Sequence, residues 1–146
     1  MPRCCTPDER GRCWVTVDLV ARPGAPRGRG RGTVRPIADT GCPAELVLSE
    51  RSLRQFVWNA AAGIPTNFGW VPGHVVRVVL PALGFDRRLL AYASDSAAKI
   101  ARADGFAGIA GKAFLDSFHW SNGKGGELCL QTWETYRPRR LGAPED

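Results

Sequence analysis

Residues 36–46 read "PIADTGCPAEL", and one side chain among them is out of keeping with its neighbours. Ile37 and Ala38 run into Asp39, Thr40 and Gly41, and Leu46, Val47 and Leu48 follow closely. A carboxylate set between two core-forming segments is costly to bury in its charged form. It must be hydrogen-bonded, paired with another group, or placed where it does chemistry. On this tripeptide alone the bland alternative is a turn aspartate that bonds its own backbone, with Gly41 supplying a positive φ.

Upstream, "CWVTVDLVAR" (13–22) alternates, with Val15, Val17 and Leu19 on one face, and predicts a strand. "PGAPRGRGRG" (23–32) is a Gly- and Pro-rich connection, and "TVRPIADTG" (33–41) returns as a second strand. Residues 13–41 therefore read as a long-looped hairpin ending at Asp39, with Pro36 marking an edge or an irregular spot. Downstream, "AELVLS" (44–49) predicts a third strand, and Ser49 a helix N-cap. Leu53, Phe56, Val57 and Ala60 fall at i, i+3, i+4 and i+7, which predicts an amphipathic helix that Gly63 and Pro65 end. Residues 73–94 predict two strands joined by "PALGFD", and "SDSAAKIARADG" (94–105) fits either a loop or a poor helical turn. "FAGIAGKAFLDSFHW" (106–120) predicts a short strand, a glycine, and a helix that turns Phe114, Leu115 and Phe118 inward. "GKGGELCLQTW" (123–133) closes with a turn and a last strand.

Composition supports a β-rich globular domain. The chain has 146 residues, 44% of them apolar, with 17 glycines and 11 prolines to make turns. No run approaches the roughly 18 apolar residues needed to span a membrane, and the N-terminus lacks the apolar segment of a secretory signal. A cytoplasmic domain over residues 13–134 is expected, between a flexible arm (1–12) and a flexible tail (135–146). Cys4, Cys5, Cys13, Cys42 and Cys129 are odd in number and lack C-x-x-C spacing, so free thiols are expected, with no metal site and no cofactor. The net charge of +6 concentrates in "PRGRGRG" (26–32) and "RPRR" (137–140). No aromatic residues interleave with either patch, so nucleic-acid binding is not expected. His74 and His119 are the only histidines, and no G-x-S-x-G elbow accompanies them, which removes a serine-type triad. Trp58, Trp120 and Trp133 are expected in the core or an interface; Trp70 stands apart.

The segments "IADTGCPAELVLS" (37–49) and "FAGIAGKAFLDSF" (106–118) together resemble the retropepsin-like aspartic proteases, a resemblance spanning roughly residues 15–132. It implies a mostly β protein, a small closed antiparallel acid-protease barrel with one or two short helices, acting as a homodimer on peptide or protein substrates. It implies Asp39 as the catalytic carboxylate, Thr40 reaching toward the partner's loop, and Gly41 allowing the turn. Gly111 would let a bracing strand pass behind the loop. The family's substrate-covering hairpin corresponds to "TNFGWVPG" (66–73), with Gly69, Trp70 and Gly73; it is short here. Cys42 stands where a small residue is common, and is expected to make the site oxidation-sensitive. The chemistry agrees with the resemblance. Hydrolysis by carboxylates alone needs two of them sharing a proton, and the chain has one D-[TS]-G, so a second copy must bring the other. The alternatives from other classes are a non-catalytic binding or assembly module on the same barrel, and a weakly nucleic-acid-binding basic domain.

Overall fold

The alternation at residues 15–20 does what it predicts: Val15, Val17 and Leu19 turn inward and are buried. β2 (Val17–Val20) pairs antiparallel with β3 (Arg31–Val34), from Val17 opposite Val34 to Val20 opposite Arg31. These elements belong to a computed structural model of the chain, which describes residues 2–24, 30–67, 69–103 and 107–136. The "RPRR" patch, most of the arginine-rich loop and nearly all of the expected tail lie outside the described residues.

The expected 13–41 hairpin breaks at Arg35–Pro36. Beyond it, β4 (Ile37–Asp39) leaves β3 and pairs in parallel with β9 (Gly108–Gly111). Proline cannot donate to a ladder, and here it marks the point where the strand changes partners. β5 (Leu46–Leu48) pairs antiparallel with the other side of β9 and in parallel with β8 (Phe85–Ala93). β8 runs antiparallel to β7 (Gly69–Leu80), the two joined by a 3₁₀ turn at Pro81–Leu83 and by Gly84 at φ 65°.

The result is an eight-stranded sheet in the order β3-β2-β7-β8-β5-β9-β4, with β6 (Val57–Thr66) paired to the outer part of β7. The protein is mostly β. The sheet is mixed and curled, where a fully closed antiparallel barrel was expected. Its far edge is drawn back toward its start by a bridge between Trp14 and Ile37, with Val15 N–H donating to Pro36 O (3.0 Å) and Ala38 N–H to Cys13 O (2.9 Å). Leu46, Leu48, Val76, Val78, Phe114 and Phe118 fill the inside of the curl. Phe85, Phe114 and Phe118 pack ring on ring, with Phe85 and Phe118 centroids 4.6 Å apart. As predicted, α3 (Lys112–Leu115) and the turn after it face Phe114, Leu115 and Phe118 inward.

Two helical expectations change. Ser49 does cap a helix, its Oγ accepting from Ser52 N–H at 3.1 Å, but α1 is only Glu50–Leu53. The rest of the predicted amphipathic helix is β6. Val57 and Trp58 favour extended backbone, and Trp58 Nε1–H donates to Val20 O at 2.8 Å, anchoring the strand beside β2. The ambiguous segment 94–105 contains α2 (Asp95–Ala103), capped by Ser94 Oγ, which accepts from Ala97 N–H at 3.2 Å. Its buried alanines, Ala97, Ala98 and Ala101, let the helix lie close to β5 and β9.

The segment 1–12, expected to be a flexible arm, contributes β1 (Arg3–Cys5). This strand joins β11 (Leu128–Gln131) and β10 (His119–Asn122) in a second, three-stranded sheet. Cys4 lies directly opposite Cys129 in that register, and the two form a disulfide. The expectation of free thiols throughout is corrected: Cys5, Cys13 and Cys42 are free, and Cys4 and Cys129 are not. No helix among the described residues is long and apolar enough to cross a membrane.

Candidate functional site

β9 lies between β4 and β5, so the chain from Ile37 to Leu48 straddles it, one arm on each side. Asp39 ends the first arm, opposite Gly111, and is exposed. Its Oδ1 accepts from Gly41 N–H at 2.9 Å, and its backbone carbonyl accepts from Cys42 N–H at 3.2 Å. Gly41 is not among the positive-φ glycines, so a left-handed turn is not what requires glycine there. A Cβ on Gly41 would sit 3.1 Å from Asp39 Oδ1, a contact that a small movement of the exposed carboxylate relieves. Thr40 is exposed beside them.

Gly111 is buried directly behind this loop. A Cβ there would come within 2.0 Å of Ala44 O and 2.6 Å of Cys42 O. Its own N–H donates to Glu45 O (2.9 Å), and the next residue, Lys112, donates its N–H to Cys42 O (2.7 Å). Glu45 reaches the other way, its carboxylate accepting from Leu90 N–H on β8. The loop is thus fixed by backbone contacts on both arms, with glycine where the strands come closest.

In front of Asp39 opens a cavity of about 460 Å³. Asp39, Gly41 and Cys42 form one wall, and Val47, Tyr92 and Ile109 stand among the other lining residues. Ile64, Pro65, Thr66, Asn67 and Val71, from the end of the β6–β7 hairpin, complete it. Val47, Val71, Tyr92 and Ala97 form a small apolar cluster of their own, separate from the main core. A larger hollow of about 820 Å³ lies away from Asp39, and its one carboxylate, Asp18, is occupied by Arg31 (2.9 Å) and the Thr33 hydroxyl (2.7 Å). The smaller cavity has the better claim, because its carboxylate is exposed and, among the described residues, bonds only within its own loop.

The run 66–73, expected to be a short covering hairpin, is the end of a longer hairpin formed by β6 and β7. Gly69 adopts φ 93° at the turn, where Thr66 Oγ1–H donates to Gly69 O at 2.8 Å. Trp70 is 70% exposed and lies over Gly63, while Gly73 is buried against Ala62 O. None of Gly69, Trp70 and Gly73 lines the cavity. Its hairpin wall comes from Ile64, Pro65, Thr66, Asn67 and Val71, residues that only the strand register brings together.

Burial pushes the Cys42 thiol pKa up, and the Asp39 charge adds to the effect, against an opposing backbone hydrogen bond at Ala44. The shift disfavours the thiolate, the reactive form of the group. His119 stacks on Tyr136 with ring centroids 3.6 Å apart and meets Trp133 edge-on, a packing role. Among the described residues no three His, Cys, Asp or Glu side chains are grouped to hold a metal ion. Compared with known proteins, the chain matches no family model and no curated sequence.

Proposed function

We propose that the chain is a retropepsin-like aspartic endopeptidase, working in the cytoplasm as a homodimer with one Asp39 from each copy. The observation that carries this is the exposed Asp39 on a glycine-braced loop, at the wall of a cavity that the end of a long hairpin helps to line. Two such carboxylates meeting on a two-fold axis share one proton. The ionised member takes a proton from a bound water, whose oxygen attacks the peptide carbonyl carbon. The protonated member supports the developing oxyanion, and a proton then passes to the departing amine as the C–N bond breaks. The apolar lining from Val47, Ile64, Val71 and Ile109 fits a substrate side chain beside the scissile bond.

A peptide-library digest across pH, with wild type beside Asp39→Asn, tests the proposal. Wild type should cleave, and the variant should lose roughly a thousandfold or more of that activity while melting at the same temperature. Equal cleavage by the two sinks the assignment. Binding of a hydroxyl-bearing peptide isostere without any cleavage points instead to a non-catalytic binding module. Sedimentation gives a second test. The proposed activity needs a second copy to bring the other carboxylate, so the wild-type chain should sediment as a dimer at the concentrations where it cleaves. A wild-type chain that is monomeric at every pH leaves the second carboxylate without a source.

A further inference from the structure

Outside the Asp39 loop, four of the five cysteines belong to one connected part of the fold. The Cys4–Cys129 disulfide joins β1 to β11. The next residue, Cys5, holds the returning chain. Its carbonyl accepts from Cys13 Sγ at 3.4 Å, and its own Sγ accepts from Trp14 N–H at 3.5 Å. Between them the turn at residues 8–12 is closed by Asp8, whose Oδ1 accepts the N–H groups of Arg10 and Arg12, both at 2.9 Å. The same returning chain is what draws β4 back: Cys13 O accepts from Ala38 N–H, and Val15 N–H donates to Pro36 O. Ala38 immediately precedes Asp39. A continuous series of bonds therefore runs from the disulfide to the strand that carries the carboxylate.

We propose that the Cys4–Cys129 disulfide is a reducible clamp on β4, so that thiol–disulfide exchange at this pair sets how firmly the Asp39 strand is held. β1 has three residues and pairs with β11 alone, too short a strand to persist well on backbone bonds by itself. With the covalent link open, β1 separates from β11, Cys5 lets go of Cys13 and Trp14, and the 36–38 segment loses its stitching. Cys4 is exposed and lines the 820 Å³ hollow, so a reductant can reach it. In the exchange a dithiol supplies two electrons and two protons. The Cys4–Cys129 sulfur–sulfur bond breaks, both sulfurs become thiols, and the reductant closes its own disulfide. Burial raises the Cys13 thiol pKa, which suits it to a packing role beside the exchanging pair. The clamp does not depend on Asp39 being catalytic; only its effect on cleavage rests on the proposed activity.

Amide hydrogen exchange on the full chain tests the clamp without any substrate. Purified without reductant, the protein should show three free thiols; five would overturn the proposal. After dithiothreitol treatment, with opening of Cys4–Cys129 verified by alkylation, the Ala38 amide should exchange on the order of tenfold faster. Val78, in the middle of β7 between β2 and β8, should change far less. An unchanged Ala38 rate with the disulfide open overturns the clamp. Equal acceleration at both amides overturns it too, because that marks a staple on the whole fold. The Cys4→Ser/Cys129→Ser variant should show the fast Ala38 rate without reductant and no further change on its addition; if it does not fold, the reduction experiment on wild type decides alone.

Discussion

The Asp39 loop and the end of the hairpin that shares its cavity are built on opposite principles. The loop is gripped by backbone: a Cβ on Gly111 would lie 2.0 Å from a carbonyl oxygen, and the arms on either side are bonded to β9. At the hairpin turn, a Cβ on Gly69 would meet nothing within 4 Å, and the last residues of β6 and the first of β7 take their strand pairing from each other. Behind the turn, Val71 and Ile64 rest on the small apolar cluster of Val47, Tyr92 and Ala97, while the turn itself carries Gly69 in open space. The cavity is thus lined on one side by a loop held through close backbone contacts and on the other by a hairpin end whose turn stands in open space.

The strongest way to break the comparison is Gly111→Ala. The added methyl meets backbone that cannot rotate away, so the variant should lose about 3 kcal/mol or more, or fail to fold, as read by denaturant melts. A loss under about 1 kcal/mol would mean the loop gives way and is less firmly held than described. Gly69→Ala places a methyl in open space but at φ 93°, so its cost should be about 1–2 kcal/mol, from backbone conformation alone. Trp70→Ala sharpens the contrast further. A 70% exposed side chain on the tip should leave stability within about 0.5 kcal/mol of wild type, whatever it does to substrate affinity.

The smallest effect lies just past the loop, at the end of α3. Asp116 is held below the ordinary carboxylate range by its hydrogen bond to Lys112 (2.6 Å), and then by Trp120 Nε1–H (2.9 Å). A carboxylate lowered on folding contributes stability above its unfolded pKa, here near 3.8, and loses it as pH falls through the folded value. Asp116→Asn should therefore melt slightly below wild type near neutrality, and the difference should close at strongly acid pH. A gap that widens on acidification would contradict the sign.

The same two regions differ in how far the sequence reveals them. The close approach expected at Gly111 is legible, because a glycine between an apolar strand and a helix implies a tight crossing, whereas Asp39 is exposed and Gly41 lacks the positive φ that the turn reading gave it. The hairpin is not legible. On a strand paired along one edge, burial does not alternate cleanly, and Leu53, Phe56, Val57 and Ala60 happen to fall at helical spacing across a helix end and a strand start. The cavity wall from Ile64, Val71 and Tyr92 depends on register, which no local pattern encodes. The disulfide is hidden for a related reason: Cys4 and Cys129 are 125 residues apart, and only the β1–β11 pairing sets them opposite each other.

That β9 lies between the two arms of the Asp39 loop has a consequence for the order in which the protein is made. Both arms leave the ribosome well before the strand that separates them. Until Gly108–Gly111 is available, β4 lacks its ladder partner, β5 has only β8 to join, and the carbonyls of Cys42 and Glu45 lack the amides of Lys112 and Gly111. Such long-range contacts form late, after the chain has paid the entropy of closing a large loop. A nascent or truncated chain carries Asp39 with its upstream contacts alone, so the braced loop comes into being only as the final third of the molecule folds into place.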